Sequence, residues 1–175
     1  MRLGIADHFG WAVAVTADAD HAVKDRRRIE LVEPGVSPAP FHYESGRLNV
    51  AATAALVETV RASVVRACSS ALDDLAGPIV SISLRRWPPD FPTDVATLRR
   101  APYEARADAI MYRHVLAELA HVRGWEVHAY DAKSVEAQAS ALLGERADAI
   151  LRPALGPPWT RDHRVALAAT VVAGH

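Results

Sequence analysis

Leu3-Gly4-Ile5-Ala6-Asp7-His8-Phe9-Gly10-Trp11-Ala12-Val13-Ala14-Val15-Thr16 is the stretch on which the fold turns. Residues 3–6 and 11–16 are small, branched or aromatic, and the four residues between them end in glycine, the pattern of two strands joined by a tight turn. Asp7 stands where the first run stops. Outward from this hairpin, residues 18–24 read as a polar loop. Arg28-Ile29-Glu30-Leu31-Val32-Glu33 then alternates with period two as a third strand. Pro34-Gly35 ends that strand, and a proline-rich loop follows to residue 48.

Further along, Asn49 is placed to cap a helix that runs to about residue 75, where Gly77-Pro78 ends it. Leu56, Val60, Val64, Cys68, Ala71 and Leu75 recur every three or four residues, the stripe of a helix lying on a sheet. Residues 79–84 read as a fourth strand closed by Arg85-Arg86-Trp87-Pro88-Pro89. Pro102 opens a second long helix, with its stripe at Ala105, Ala109, Tyr112, Val115, Leu116, Leu119 and Val122. Residues 125–130 make a fifth strand, residues 134–143 and 146–151 helical segments, and Thr160 caps a last helix over 161–172. The order β-β-β-α-β-α-β-α predicts an α/β fold: a five-stranded mixed sheet, three strands antiparallel and two joined through parallel crossovers, with helices on both faces.

Composition sets the frame. With 175 residues, 50% hydrophobic and 23% charged, the chain has the length and balance of a single globular domain spanning 1–175. A net charge of −1 and a pI near 6.7 argue against binding a polyanion through bulk positive charge, leaving local basic patches as the route. All but two of the 20 basic residues are arginine, the exceptions being Lys24 and Lys133. Cys68, the only cysteine, excludes an intrachain disulfide framework and a cysteine-rich zinc site. Asp7 interrupts any signal-peptide hydrophobic run, and no stretch reaches the roughly 18 apolar residues of a membrane span. A cytoplasmic protein without a membrane partner is the expectation.

In an open α/β sheet, ligands gather beyond the carboxyl ends of the strands. Asp7 ends the first strand there, Arg85 the fourth and Asp131 the fifth, while Asp162 and His163 open the last helix. Carboxylates drawn from separate segments suit Mg²⁺ or Mn²⁺, hard cations that prefer oxygen ligands. Histidine beside such acids can ligate metal or move a proton. Arg85, Arg86, Trp87 and Lys133 combine guanidinium and ammonium groups with an indole, which suits contact with nucleic-acid phosphates and bases.

The strand order resembles the ribonuclease-H-like superfamily, and two motifs narrow the resemblance to Holliday-junction resolvases of the RuvC type. Leu3-Gly4-Ile5-Ala6-Asp7 with Gly10-Trp11-Ala12-Val13 is similar to their opening hairpin. Trp125-Glu126-Val127, Tyr130-Asp131-Ala132-Lys133-Ser134-Val135-Glu136 and Asp162-His163-Arg164-Val165-Ala166-Leu167-Ala168 are similar to their fifth strand, following helix and closing helix. Together these cover about a third of the chain. The resemblance implies a divalent-metal-dependent endonuclease acting on DNA or RNA as a homodimer. Asp7, Asp162 and His163 would then be metal ligands, and Asp7, Asp162, Asp131 and His163 the catalytic set.

Three departures accompany it. The family's acid follows its glycine by two residues, whereas Asp7 follows Gly4 by three, and in a strand one residue reverses the face. Arg85-Arg86 stands where the family has a glutamate, and Val165 where it has a second acid in the last helix. These departures imply an alternative, a non-catalytic protein of the same fold that binds nucleic acid or a protein partner. Elsewhere, His114, Glu118 and His121 share one helix face and read as a solvated surface rather than a zinc site. Glu104 and Asp108 read as acids favoured near a helix start.

Overall fold

The hairpin forms as its sequence requires. In the computed structural model, which describes residues 1–175, β1 (Arg2–Asp7) pairs antiparallel with β2 (Trp11–Ala17) in an unbroken register from Arg2 opposite Ala17 to Asp7 opposite Ala12. Gly10 takes φ +80° in the turn, a conformation glycine enters without steric cost. The third strand, β3 (Val23–Glu30), pairs antiparallel with β2 and forms one edge of the sheet. It begins five residues earlier than the period-two pattern suggests. An edge strand with one face in solvent tolerates the charged run Lys24-Asp25-Arg26-Arg27-Arg28, which shows no hydrophobic alternation before Ile29.

The remaining elements are α1 (Val50–Asp73), β4 (Ser81–Arg85), α2 (Val95–Leu98), α3 (Glu104–Val122), β5 (Glu126–Tyr130), α4 (Val135–Leu143), α5 (Ala147–Leu151) and α6 (Arg161–Val172). Asn49 caps α1 by accepting from the Ala52 N–H at 2.8 Å. β4 joins β1, and β5 joins β4, both in parallel, to give the sheet order β3-β2-β1-β4-β5. The expected mixed five-stranded sheet is therefore present. The one-turn helix α2 is an addition, inside residues 88–101, whose three prolines read as a loop between the fourth strand and the second long helix. No helix is long and apolar enough to cross a membrane.

Alternation along β1 sorts its side chains between two cores. Leu3 and Ile5 pack with Val60, Val64 and Cys68 of α1 and Tyr112, Val115 and Leu116 of α3. Ala6 packs on the other face with Val165, Ala166 and Ala169 of α6 and Val135 and Ala139 of α4. α6 runs so close to β1 that a Cβ on Gly4 would collide with the Ala166 carbonyl oxygen. Two hydrogen bonds tie the same layer: Tyr130 donates its hydroxyl to the Ile5 carbonyl at 2.6 Å, and Ser83 donates to the Ala169 carbonyl at 3.2 Å. Cys68 is a core residue, its thiol pushed up to about 12 by burial and donating weakly to the Leu31 carbonyl.

Candidate nucleic-acid interface

Asp7 is the last residue of β1 and shares the parity of Leu3 and Ile5, so it faces α3. With the β1–β2 register continuous, no bulge returns it to the α6 face. Ala6, two residues after Gly4, occupies that face and is fully buried among α6 residues. Asp7 is itself 3% exposed. Its Oδ2 accepts from both Nε (3.0 Å) and Nη2 (2.8 Å) of Arg113, and Arg85 Nε lies 4.0 Å from Oδ1. An ionised carboxylate buried this deeply is costly unless it is paired and hydrogen-bonded, and Arg113 supplies the counter-charge.

The other acids are held apart from Asp7. Asp162 lies in the first turn of α6, on the opposite side of the sheet, and its Oδ2 is 3.0 Å from His8 Nε2. The His8 ring stacks on Trp11 at 4.1 Å, and the Arg28 guanidinium covers the same indole at 4.2 Å. His163 is buried and belongs to the helix start: its Nδ1 accepts from the Thr160 N–H at 3.2 Å and lies 2.8 Å from the Thr160 hydroxyl. Burial, with Arg26 nearby, holds its pKa below the usual histidine value. Asp131 is exposed and accepts from the Lys133 N–H (2.9 Å) and the Ser134 hydroxyl (3.3 Å), bonds that hold its carboxyl below the usual range. It initiates α4 as an Asx turn.

These contacts answer the expectation of a metal centre at Asp7, Asp162 and His163. The three are not assembled into one ligand set, and no group of three or more His, Cys, Asp or Glu side chains in the structure is arranged to hold an ion. The donor set does not fit Mg²⁺ or Mn²⁺, which need several oxygen ligands converging from one side. The Asp7 carboxylate instead faces two guanidiniums. The parity of Asp7, shared with Leu3 and Ile5, is the geometric cause, and the arginines at 85 and 113 are its electrostatic complement.

The basic residues, by contrast, converge. Arg85, Arg86, Trp87 and Lys133, expected from the sequence to contact nucleic acid, line one open cavity of about 480 Å³ between the ends of β4 and β5. Arg106, from the first half of α3, joins them. Asp131 is the only acid in the lining. A second cavity, of about 330 Å³, lies next to it and shares Arg85 and Arg106.

Two residues of this region are absent from the sequence-based set. Arg106 carries no distinguishing signal. Arg113 does: it falls four residues after Ala109 and three before Leu116, on the apolar stripe of α3. A charge on such a stripe requires a buried counter-charge, and Asp7 was the candidate at hand. Asp108 also departs from its reading. It is fully buried and accepts from the Phe41 (3.1 Å) and His42 (3.0 Å) N–H groups, fastening the turn at 40–44 to α3. Burial raises its pKa to about 6. His114 stacks edge-on against Trp87, and Glu118 pairs with Arg61.

The architecture defines the class: an α/β protein with the ribonuclease-H-like sheet and its flanking helices. No family model matches the chain, and no curated protein matches it. Among solved structures, it is similar to RuvC of Thermus thermophilus in complex with a Holliday-junction substrate, at a TM-score of 0.54 and 12% identity over 97% of this chain and 89% of that one. A second Thermus thermophilus RuvC structure overlaps at a TM-score of 0.45 and 14% identity, covering 97% and 90%. At this identity the first likeness shows a shared fold.

Proposed function

We propose that the protein binds nucleic acid at the carboxyl ends of β4 and β5 and does so without a metal-held cleavage centre. The observation that carries this reading is the convergence of Arg85, Arg86, Arg106, Lys133 and Trp87 on one cavity. Guanidinium and ammonium groups neutralise phosphates, and an indole beside them offers a stacking surface to bases. The location, at the carboxyl edge of an open α/β sheet, is where such folds take ligands. The similar Thermus thermophilus protein is complexed with a Holliday junction, which supports nucleic acid as the ligand class. The chain's net charge of −1 confines the attraction to this patch.

Divalent-metal cleavage by Asp7, Asp162, Asp131 and His163 is the competing reading. Against it stand the Arg113–Asp7 pair and the placement of Asp162 across the sheet. The deciding experiment measures binding and cleavage of branched, single-stranded and hybrid substrates with Mg²⁺ or Mn²⁺. The expected result is salt-sensitive binding that weakens in an Arg86→Ala, Lys133→Ala double variant, with every substrate left intact. Metal-dependent cleavage by the wild type, lost in Asp162→Asn, would overturn the non-catalytic reading. Absence of any binding would overturn the choice of ligand.

A further inference from the structure

The smaller cavity, of about 330 Å³, is lined by Asp7, His8, Phe9, Arg85, Arg106 and Arg113, with Ile110 and two alanines of α3. Its size lies within the range of about 300–1,000 Å³ usual for small-ligand sites. Three guanidiniums against one carboxylate leave two net positive charges there. Arg113, 8% exposed, uses Nε and Nη2 on Asp7 and has no protein acceptor for Nη1. Arg85 Nε is buried and makes no hydrogen bond, the nearest acceptor being Asp7 Oδ1 at 4.0 Å. An unsatisfied buried donor is rare and calls for an acceptor.

We propose that this cavity receives the phosphomonoester at the end of a nucleic-acid strand lying in the neighbouring groove. The inference rests on the nucleic-acid reading above and adds the chemical group recognised. An internal phosphodiester brings one negative charge, whereas a phosphomonoester brings about 1.5 to 2 near neutral pH, closer to the charge of the site. Its oxygens supply acceptors for Arg113 Nη1 and Arg85 Nε as charge-assisted bonds. The floor is closed by buried Ile110 and the Asp7–Arg113 pair, so a strand can enter and stop there. Phe9 and the methyl groups of Ala105 and Ala109 offer an apolar wall to the terminal sugar and base. Arg85 and Arg106 belong to both cavities, so the backbone path is continuous from groove to pocket.

Fluorescence anisotropy with 12-nucleotide single strands tests this, using a 5′-phosphate, a 3′-phosphate or hydroxyls at both ends, and adenosine monophosphate as the free-nucleotide arm. One phosphorylated end is expected to bind at least about tenfold more tightly than the unphosphorylated strand, the scale of one added charge-assisted bond. Ala109→Leu fills the pocket without touching the groove and should erase that ratio, leaving the phosphorylated and unphosphorylated strands with equal affinity. Ala105→Leu, on the exposed rim, serves the same purpose if the first variant melts early. Equal affinity for all three strands overturns the terminal-phosphate assignment while leaving groove binding intact. Adenosine monophosphate binding as tightly as the phosphorylated strand would make the pocket a free-nucleotide site and also overturn it. No binding by any strand removes the nucleic-acid reading itself.

Discussion

Asp7 and Arg113 form the pair on which the site is built, and neither is tolerable alone. A buried charge left without its partner costs about 3–5 kcal/mol. Arg113→Met is therefore expected to lower stability by about that amount, read from urea denaturation. The Asp7→Asn, Arg113→Met double variant should lose much less than the sum of the singles, because no charge is then left stranded. If the two losses simply add, the pair is not coupled. Asp108 offers a second residue-scale test. Its folded pKa of about 6 lies above the unfolded carboxylate value, so the folded state binds the proton more tightly. That contribution is fully present below about pH 4 and fades as pH rises through about 6. Melting temperatures of wild type and Asp108→Asn should therefore diverge in favour of the wild type as pH falls from 6 to 4. A pH-independent difference would contradict the assignment.

At the scale of elements, the close crossing of α6 over β1 sets what each strand position can carry. Small residues on both sides, Gly4 and Ala6 against Ala166 and Ala169, bring helix and strand together. Gly4→Ala must push Ala166 backbone aside, and overpacking of this kind costs about 1–3 kcal/mol. Thermal unfolding should show the loss, whereas Gly46→Ala, in open space, should leave the melting temperature near that of the wild type. The helical stripes of α1 and α3 were legible in the sequence because their burial is one-sided and long. The start of β3 was not, since an edge strand's pairing is set by its neighbour rather than by its own hydrophobicity. The convergence of Arg86 and Lys133 likewise depends on β4 and β5 ending side by side, which a parallel register decides.

For the whole molecule, near-neutral charge means that the proposed nucleic-acid affinity would come from a few local contacts. Binding should therefore weaken with salt at a slope of only about 3 in log Kd against log salt, as for three or four neutralised phosphates on a duplex. Arg86→Ala should lower that slope by about one. A slope unchanged by the substitution would place the interface elsewhere on the surface.

The sequence by itself determined the order of elements, the two-faced helices and the mixed sheet, because hydrophobic periodicity, glycine turns and proline breaks are local signals. It also contained the clue to the facing of Asp7, which stands three residues after Gly4 and so on the opposite side of the strand. Only the tertiary structure decided what that residue does. Whether a strand side chain faces one layer or the other depends on an unbroken register with its neighbours, and whether a carboxylate meets a metal or a guanidinium depends on a helix about a hundred residues away. Asp7 turned toward α3, Arg113 met it there, and the acids at 131 and 162 were left to begin helices. Those outcomes are properties of packing, where distant segments settle each other's charge.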